Sequence, residues 1–281
     1  MRCGTTTTDP WPSPDELDAA YGGWYRPATG RFPGWGDRFL RWSRGLLARR
    51  LDRLAPAGPI LDVGSGDGAL VEALRARGRE ATGLERLGAG GESRGSLEGV
   101  GSAWAAVVFW HSLEHLPDAS AALARAVALL LPSGMLAIAV PNNRSFQAKV
   151  FGDRWFAVDT PRHLVHLDDR ALTERLRELG LRIGRTSHVR GGQVVFGWLD
   201  GLVGSLPGGL SLYDAIRRAE ARSRDISNGR RLTALLSGTL VAPVAVVASA
   251  VEIVARRGGS FYVEAHRPAA DNPNGPRSES E

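Results

Sequence analysis

Asp62-Val63-Gly64-Ser65-Gly66-Asp67-Gly68 and Glu85 are the residues whose types and spacing best define a chemistry. The apolar pair Ile60-Leu61 leads into a carboxylate and then alternating glycines, and a second short run, Thr82-Gly83-Leu84, ends in Glu85. Glycine at a strand tip lets the backbone turn sharply and lie against a ligand with no Cβ in the way. A carboxylate at the tip of the next strand accepts hydrogen bonds from both hydroxyls of a ribose. Together these residues predict a βαβ unit that binds a nucleoside. Four histidines form the second group: His111, His115, His163 and His166. Imidazole exchanges protons near neutral pH. His163, close to Arg162 and Asp159, is the first candidate for a base or acceptor-orienting group. His111 and His115 are further catalytic candidates, although His115, just before Leu116-Pro117, also reads as a structural hydrogen-bonder. His166 reads as a supporting group. No cysteine or carboxylate completes a recognisable ligand spacing with these histidines, so no metal is expected.

The glycine pattern alone also fits a dinucleotide fingerprint, Gly64-x-Gly66-x-x-Ala69. Asp62 argues otherwise: a carboxylate there suits a ligand carrying a sulfonium and an ammonium and would crowd a pyrophosphate. Downstream, Val107-Val108-Phe109-Trp110-His111-Ser112-Leu113-Glu114-His115-Leu116-Pro117-Asp118 resembles the fourth strand and following loop of class I methyltransferases that use S-adenosylmethionine (SAM). Leu130-Leu131-Pro132-Ser133-Gly134-Met135-Leu136-Ala137-Ile138-Ala139-Val140 resembles their "L-x-P-G-G-x-L" turn and fifth strand. Trp155-Phe156-Ala157-Val158-Asp159-Thr160-Pro161-Arg162-His163-Leu164-Val165-His166 is similar to a "W-x-x-x-D-x-P-R-H-L-x-H" segment of a subgroup related to quinone-biosynthesis methyltransferases. The resemblance implies SAM as cofactor, held by Asp62, Gly64, Ser65, Gly66, Gly68 and Glu85, with Ser96 and Leu97 near adenine. It also implies that His111 contacts SAM through its backbone and that Glu114 and His115 shape the loop. Ser96 stands where many relatives carry an acid, and the stretch 86–100 is too short and glycine-rich for the usual helix and third strand.

The elements that must position these groups form an α/β, Rossmann-like, doubly wound seven-stranded sheet, with a helical apolar insertion before the last strand. Strands are expected at 59–63, 80–84, 105–110, 135–140, 181–189 and 260–266, and helices at 37–54, 69–77, 119–131 and 169–179, with Asp168 as an N-cap. The domain plan is a disordered segment 1–14, a SAM-binding core with an N-terminal cap helix over 15–189, an insertion over 190–257, a final strand over 258–267 and a disordered tail 268–281. The helix over 37–54 is either docked with a solvated arginine face or a basic membrane-surface helix. Trp155 and Phe156 are either core or a wall of the acceptor pocket.

The net charge is +5, and Lys149 is the only lysine. Arginine interleaved with aromatics at 38–44 comes with no nucleic-acid fold signature, so no nucleic-acid partner is expected. One cysteine, Cys3, excludes an intrachain disulfide and suits a cytoplasmic setting. Residues 232–251 carry no charge and are long enough to cross a bilayer. A single crossing would strand the last β-strand on the wrong side. The expected form is therefore a bent apolar hairpin that dips into one leaflet or packs on the domain, with a lid, a dimer surface and a true span as alternatives. The arginine-rich stretch 217–231 reads as a solvated or headgroup-facing helix. The functional expectation is a cytoplasmic, peripherally membrane-associated methyltransferase, most simply an O-methyltransferase, acting on a hydrophobic small-molecule or lipid-linked acceptor. A catalytically silent SAM-fold interaction module is the rival, and a nicotinamide-dependent reductase or epimerase a weaker one.

Overall fold

The computed structural model describes residues 5–22, 30–85, 93–94, 97–189, 192–222 and 226–269. In chain order its elements are β1 (Thr6–Thr7), α1 (Pro14–Ala20), α2 (Gly34–Leu54), β2 (Ile60–Val63), α3 (Ala69–Arg75), β3 (Ala81–Glu85), β4 (Ser93–Arg94), β5 (Trp104–Trp110), α4 (Ala119–Leu129), β6 (Leu130–Pro141), α5 (Phe146–Phe151), β7 (Val165–His166), α6 (Asp169–Glu178), β8 (Arg182–Ser187), α7 (Gly192–Gly204), α8 (Leu212–Ile216), α9 (Asn228–Val254) and β9 (Ser260–His266). The main sheet has the order β4-β3-β2-β5-β6-β9-β8. Strands β4 to β6 pair in parallel, and β9 runs antiparallel to both of its neighbours. Six of these strands have four residues or more; β4 is a two-residue edge, which is what remains of the expected third strand. The expected mostly parallel α/β sheet is thus the observed one.

Helices on both faces leave the central strands no contact with water, so their sequences read as unbroken apolar runs. Val107, Phe109, Leu136, Ile138 and Val140 point to the layer of α4 and α6, against Leu123, Leu129, Leu172 and Leu176. Ala106, Val108, Met135, Ala137 and Ala139 point to the layer of α2 and α3, against Leu47, Leu51, Leu70 and Leu74. The period of two along each strand splits the two cores. Asp168 caps α6 by accepting from the Ala171 N–H at 2.7 Å. Arg50 of α2 donates to both oxygens of the buried Glu264 on β9, which also accepts from the Tyr262 hydroxyl at 2.7 Å.

Three expectations need correction. Residues 5–14 are not disordered: β1 pairs antiparallel with β7, Thr6 opposite His166, and Ser13 caps α1 through a reciprocal box with Glu16. The pairing satisfies backbone groups whose partners lie far away in sequence. Residues 232–251 do not bend into a hairpin, because α9 runs unbroken through Pro243. A proline inside a helix costs ~3 kcal/mol, and here packing before and after it holds the helix continuous: Ala234 lies in one apolar cluster with α8, and Ala245 in another with Phe151 and Trp198. Nor do the described residues of 217–231 form one solvated helix. Arg217 is buried with its guanidinium 4.8 Å from the Tyr213 ring centroid, and α9 starts only at Asn228. α7 and α8 also lie in this insertion.

Candidate active site

The glycine turn sits at the carboxyl end of β2. Gly64 has φ +77°, and a Cβ there would lie 2.4 Å from the Ser112 Cβ, so both the turn and the neighbouring loop demand glycine. The Ser112 hydroxyl donates to the Val63 carbonyl, tying the loop after β5 to the tip of β2. Glu85 ends β3 and accepts from the Gly66 N–H at 2.7 Å. The carboxylate therefore reaches the glycine turn, as the sequence predicts. Asp62 is buried in β2, Ser65 packs under the turn against Gly83, and Gly68 (φ +73°) opens α3. Leu97 is buried in the core beneath this edge. Ser96 lies outside the described residues.

One residue before Ser112 and two after it the chemistry changes. His111 takes φ +54° at the end of β5, and its N–H is used by the Ala139 carbonyl at 2.8 Å. That N–H belongs to the sheet edge, so a backbone contact of His111 with SAM would have to run through its carbonyl. Glu114 is 1% exposed, and neither of its carboxylate oxygens has a hydrogen-bond partner. Its neighbours are imidazoles: His111 Nδ1 lies 3.5 Å and His163 Nε2 3.9 Å from Oε1. Burial alone would raise the Glu114 pKa, but the His111 side chain and the charge of His111, His163 and His115 outweigh it and hold it at about 2. His115 is pushed down to about 4, first by burial and then by the charge of His163.

The second half of the cluster comes from the segment before α6. His163 Nδ1 lies 2.8 Å from the Ala157 carbonyl, and His115 Nδ1 lies 2.9 Å from the Arg162 carbonyl. The two rings meet edge to face at 4.6 Å. Arg162 forms a bidentate pair with Asp159, which also approaches His163 Nε2 at 3.7 Å. His166 is one step removed. It contacts the Thr8 hydroxyl at 3.1 Å, and its pKa is lowered by burial and by the charge of His163. The catalytic candidates His111, His115 and His163 are thus brought together. Trp155 is buried in the cluster with Phe151 and Trp198, and Phe156 packs at its edge.

Two residues of this neighbourhood were missed in the sequence. Tyr21, following α1, places its hydroxyl 2.8 Å from His115 Nδ1. Thr8 donates to the His163 carbonyl at 2.6 Å. Nothing local marks either, since their partners lie about a hundred positions or more away. Glu114 carried a signal that could have been weighted more: a carboxylate directly after Leu113, three residues from one histidine and next to another.

The family described as "Methyltransferase domain" matches residues 35–185, just over half the chain. The chain belongs to this family. The match spans α2 to β8 and so contains the glycine turn, Glu85 and the histidine cluster. No curated protein matches the sequence. Among solved structures, one from Galdieria sulphuraria described as a sarcosine dimethylglycine methyltransferase is 14% identical, with 82% of this chain and 85% of that chain covered and a TM-score of 0.50. A SAM-dependent methyltransferase from Archaeoglobus fulgidus is 16% identical over 80% of this chain and 94% of that one, with a TM-score of 0.48. The magnesium protoporphyrin IX methyltransferase of Synechocystis, solved with S-adenosylhomocysteine, is 14% identical over 81% and 83%, with a TM-score of 0.45. SAM is the cofactor of this methyltransferase domain, and the residues present fit it. A carboxylate at the β3 tip suits the ribose, and Gly66 and Gly68, at φ +66° and +73°, keep the turn free of side chains beside it, with open space at Gly68.

Proposed function

We propose that this methyltransferase transfers the SAM methyl group to an oxygen of a hydrophobic acceptor at a membrane surface. The observation that carries the chemistry is the contiguity of the Glu85–Gly66 turn with the His111–Glu114–His163 cluster, joined by Ser112 packed on Gly64. Methyl transfer is an in-line displacement. The acceptor oxygen forms a bond to the methyl carbon, the carbon–sulfur bond breaks, and its electron pair stays on sulfur to give S-adenosylhomocysteine. The enzyme must align the two and exclude water. A hydroxyl must also lose its proton. His111 is the outermost member of the cluster, its side chain 20% exposed against 11% for His163 and 2% for Glu114. It is placed to take that proton, with Glu114 behind it to stabilise the imidazolium. His163, the first candidate from sequence, holds Glu114 from the other side.

The acceptor class rests on α9. Leu232, Leu236, Leu240, Val244, Val247, Val251 and Val254 are all more than half exposed along one helix, with Arg230, Arg231, Arg256 and Arg257 at its ends. Only 22% of its most apolar window is buried. The opposite side is fixed to the domain: Glu252 accepts from the Gln147 N–H and Nε2 and from the Trp198 Nε1 at 2.8–3.0 Å. A helix held along its length and leading straight into β9 lies on a bilayer rather than crossing it. Its arginines suit anionic headgroups. The test is transfer of labelled methyl from SAM into the lipid and aqueous fractions of a cell extract. Label in an apolar product that base treatment shows to be an ether or ester supports the reading. Label confined to polar nitrogen compounds overturns the acceptor class while leaving SAM use intact. No transfer together with no SAM binding favours the silent module instead.

A further inference from the structure

We infer that Glu114, His115 and His163 form a binding site for a divalent transition-metal ion. One oxygen of Glu114 and one nitrogen of each histidine lie within 4.8 Å of one another. In a tetrahedral zinc site with bonds of about 2.0–2.2 Å the ligand atoms stand a little over 3 Å apart, so a contraction of roughly an ångström closes the set. Three further observations point to an ion. Each histidine presents Nδ1 to a backbone carbonyl, which can only accept: Ala157 for His163 at 2.8 Å, Arg162 for His115 at 2.9 Å. Donation to these carbonyls puts the proton on Nδ1, with the Tyr21 hydroxyl also 2.8 Å from that of His115, and in the neutral rings it leaves the lone pair on Nε2. Fixing the tautomer and ring angle from behind is how metal-ligating histidines are usually held. Second, Glu114 is 1% exposed with both oxygens lacking a hydrogen bond. A buried charge in that condition is costly unless something pairs with it. Third, His163 Nε2 faces two carboxylates, Glu114 Oε1 at 3.9 Å and Asp159 Oδ2 at 3.7 Å, both beyond direct hydrogen-bond distance. A cation satisfies the carboxylate and both lone pairs at once.

Two imidazoles and one carboxylate favour zinc, cobalt(II) or nickel over magnesium or calcium, which prefer all-oxygen sets. Three protein ligands leave a coordination position open, and an oxygen of the acceptor is the ligand chemistry that fits it. That last point rests on the proposed O-methylation; the site itself does not.

The full-length protein, stripped with a chelator and dialysed, should take up one equivalent of Zn2+ in competition with a chromophoric chelator. With Co2+ it should develop the visible absorption of a tetrahedral site. Glu114→Gln and His163→Gln should each weaken Zn2+ binding by about 100-fold or more, since even outer-shell changes cost 10–100-fold. His188→Gln and His266→Gln should leave it unchanged. SAM affinity measured on the same samples shows that each variant folds and keeps this result separate from the cofactor assignment. If the ligand variants do not fold, X-ray absorption of the wild-type Zn2+ form decides: two imidazoles and oxygen support the site, and sulfur ligation by Cys3 overturns it. Failure of the wild type to bind Zn2+, or equal binding in Glu114→Gln and His163→Gln, also overturns it.

Discussion

Glu85 and Gly64 do opposite jobs at one strand edge. Glu85 contributes a charge; Gly64 contributes the absence of a side chain. Glu85→Ala should weaken SAM binding by roughly 10- to 100-fold, the worth of one or two charge-assisted hydrogen bonds of about 1.5–3 kcal/mol in total. Titration calorimetry with SAM checks it, and an unchanged affinity would remove the ribose from this carboxylate. Gly64→Ala adds a methyl group 2.4 Å from the Ser112 Cβ at φ +77°. Strain of this kind costs on the order of 1–3 kcal/mol, so the melting temperature should fall by several degrees and SAM binding should fall with it. At His111 the effect should divide differently. His111→Asn should lower kcat by about 100-fold or more, the usual contribution of a positioned base, with the SAM dissociation constant nearly unchanged. Equal losses in kcat and in SAM affinity would make His111 a cofactor contact instead.

At the scale of the element, α9 is the most unusual part of the molecule. Apart from Glu252, its buried stripe is made of small residues, Ala234, Gly238, Ala245 and Ser249, which let it lie close against α7 and α8. Its outer side keeps the large aliphatics. Replacing Leu236, Leu240, Val244 and Val247 with serine should leave the fold intact, because these side chains touch water in the free protein. It should cut co-sedimentation with vesicles containing phosphatidylglycerol at least tenfold, since each buried aliphatic contributes about 1.5 kcal/mol or more. If vesicle binding persists, the exposed Trp35, Phe39 and Trp42 of α2 are the next surface to substitute. The helices over 37–54 and 169–179 were legible because their apolar periodicity, and for the second the Asp168 cap, are local. Pro243 was misleading for a related reason: a local rule favours a bend, and packing against α7 and α8 overrules it.

For the whole molecule, the sheet is locked to the α2 layer by the Arg50–Glu264–Tyr262 group. Burial raises the Glu264 carboxyl, but the Arg50 hydrogen bond, with help from Tyr262, outweighs it, and the net pKa lies below the ordinary 4.5. A lowered folded-state value means this group stabilises the fold fully above pH 4.5 and loses that contribution as pH falls through the folded pKa. Glu264→Gln should therefore flatten the acid side of the plot of melting temperature against pH between about 5 and 3. An unchanged slope there would assign acid sensitivity to other carboxylates.

The sequence by itself determined the fold class, the positions of the main strands, the glycine turn and Glu85, because each is written in consecutive residues with period two, period 3.6 or a fixed loop spacing. It placed His111, His115 and His163 near the chemistry through motif resemblance, without showing that they meet. Only the tertiary structure decided that they close on a buried Glu114, that Thr8 and Tyr21 reach back to cover them, and that 232–251 is one rod with a single apolar side. These are contacts between segments separated by tens to more than a hundred residues. Their energies depend on burial and on which neighbour supplies a partner, and neither quantity is carried by any local stretch of chain.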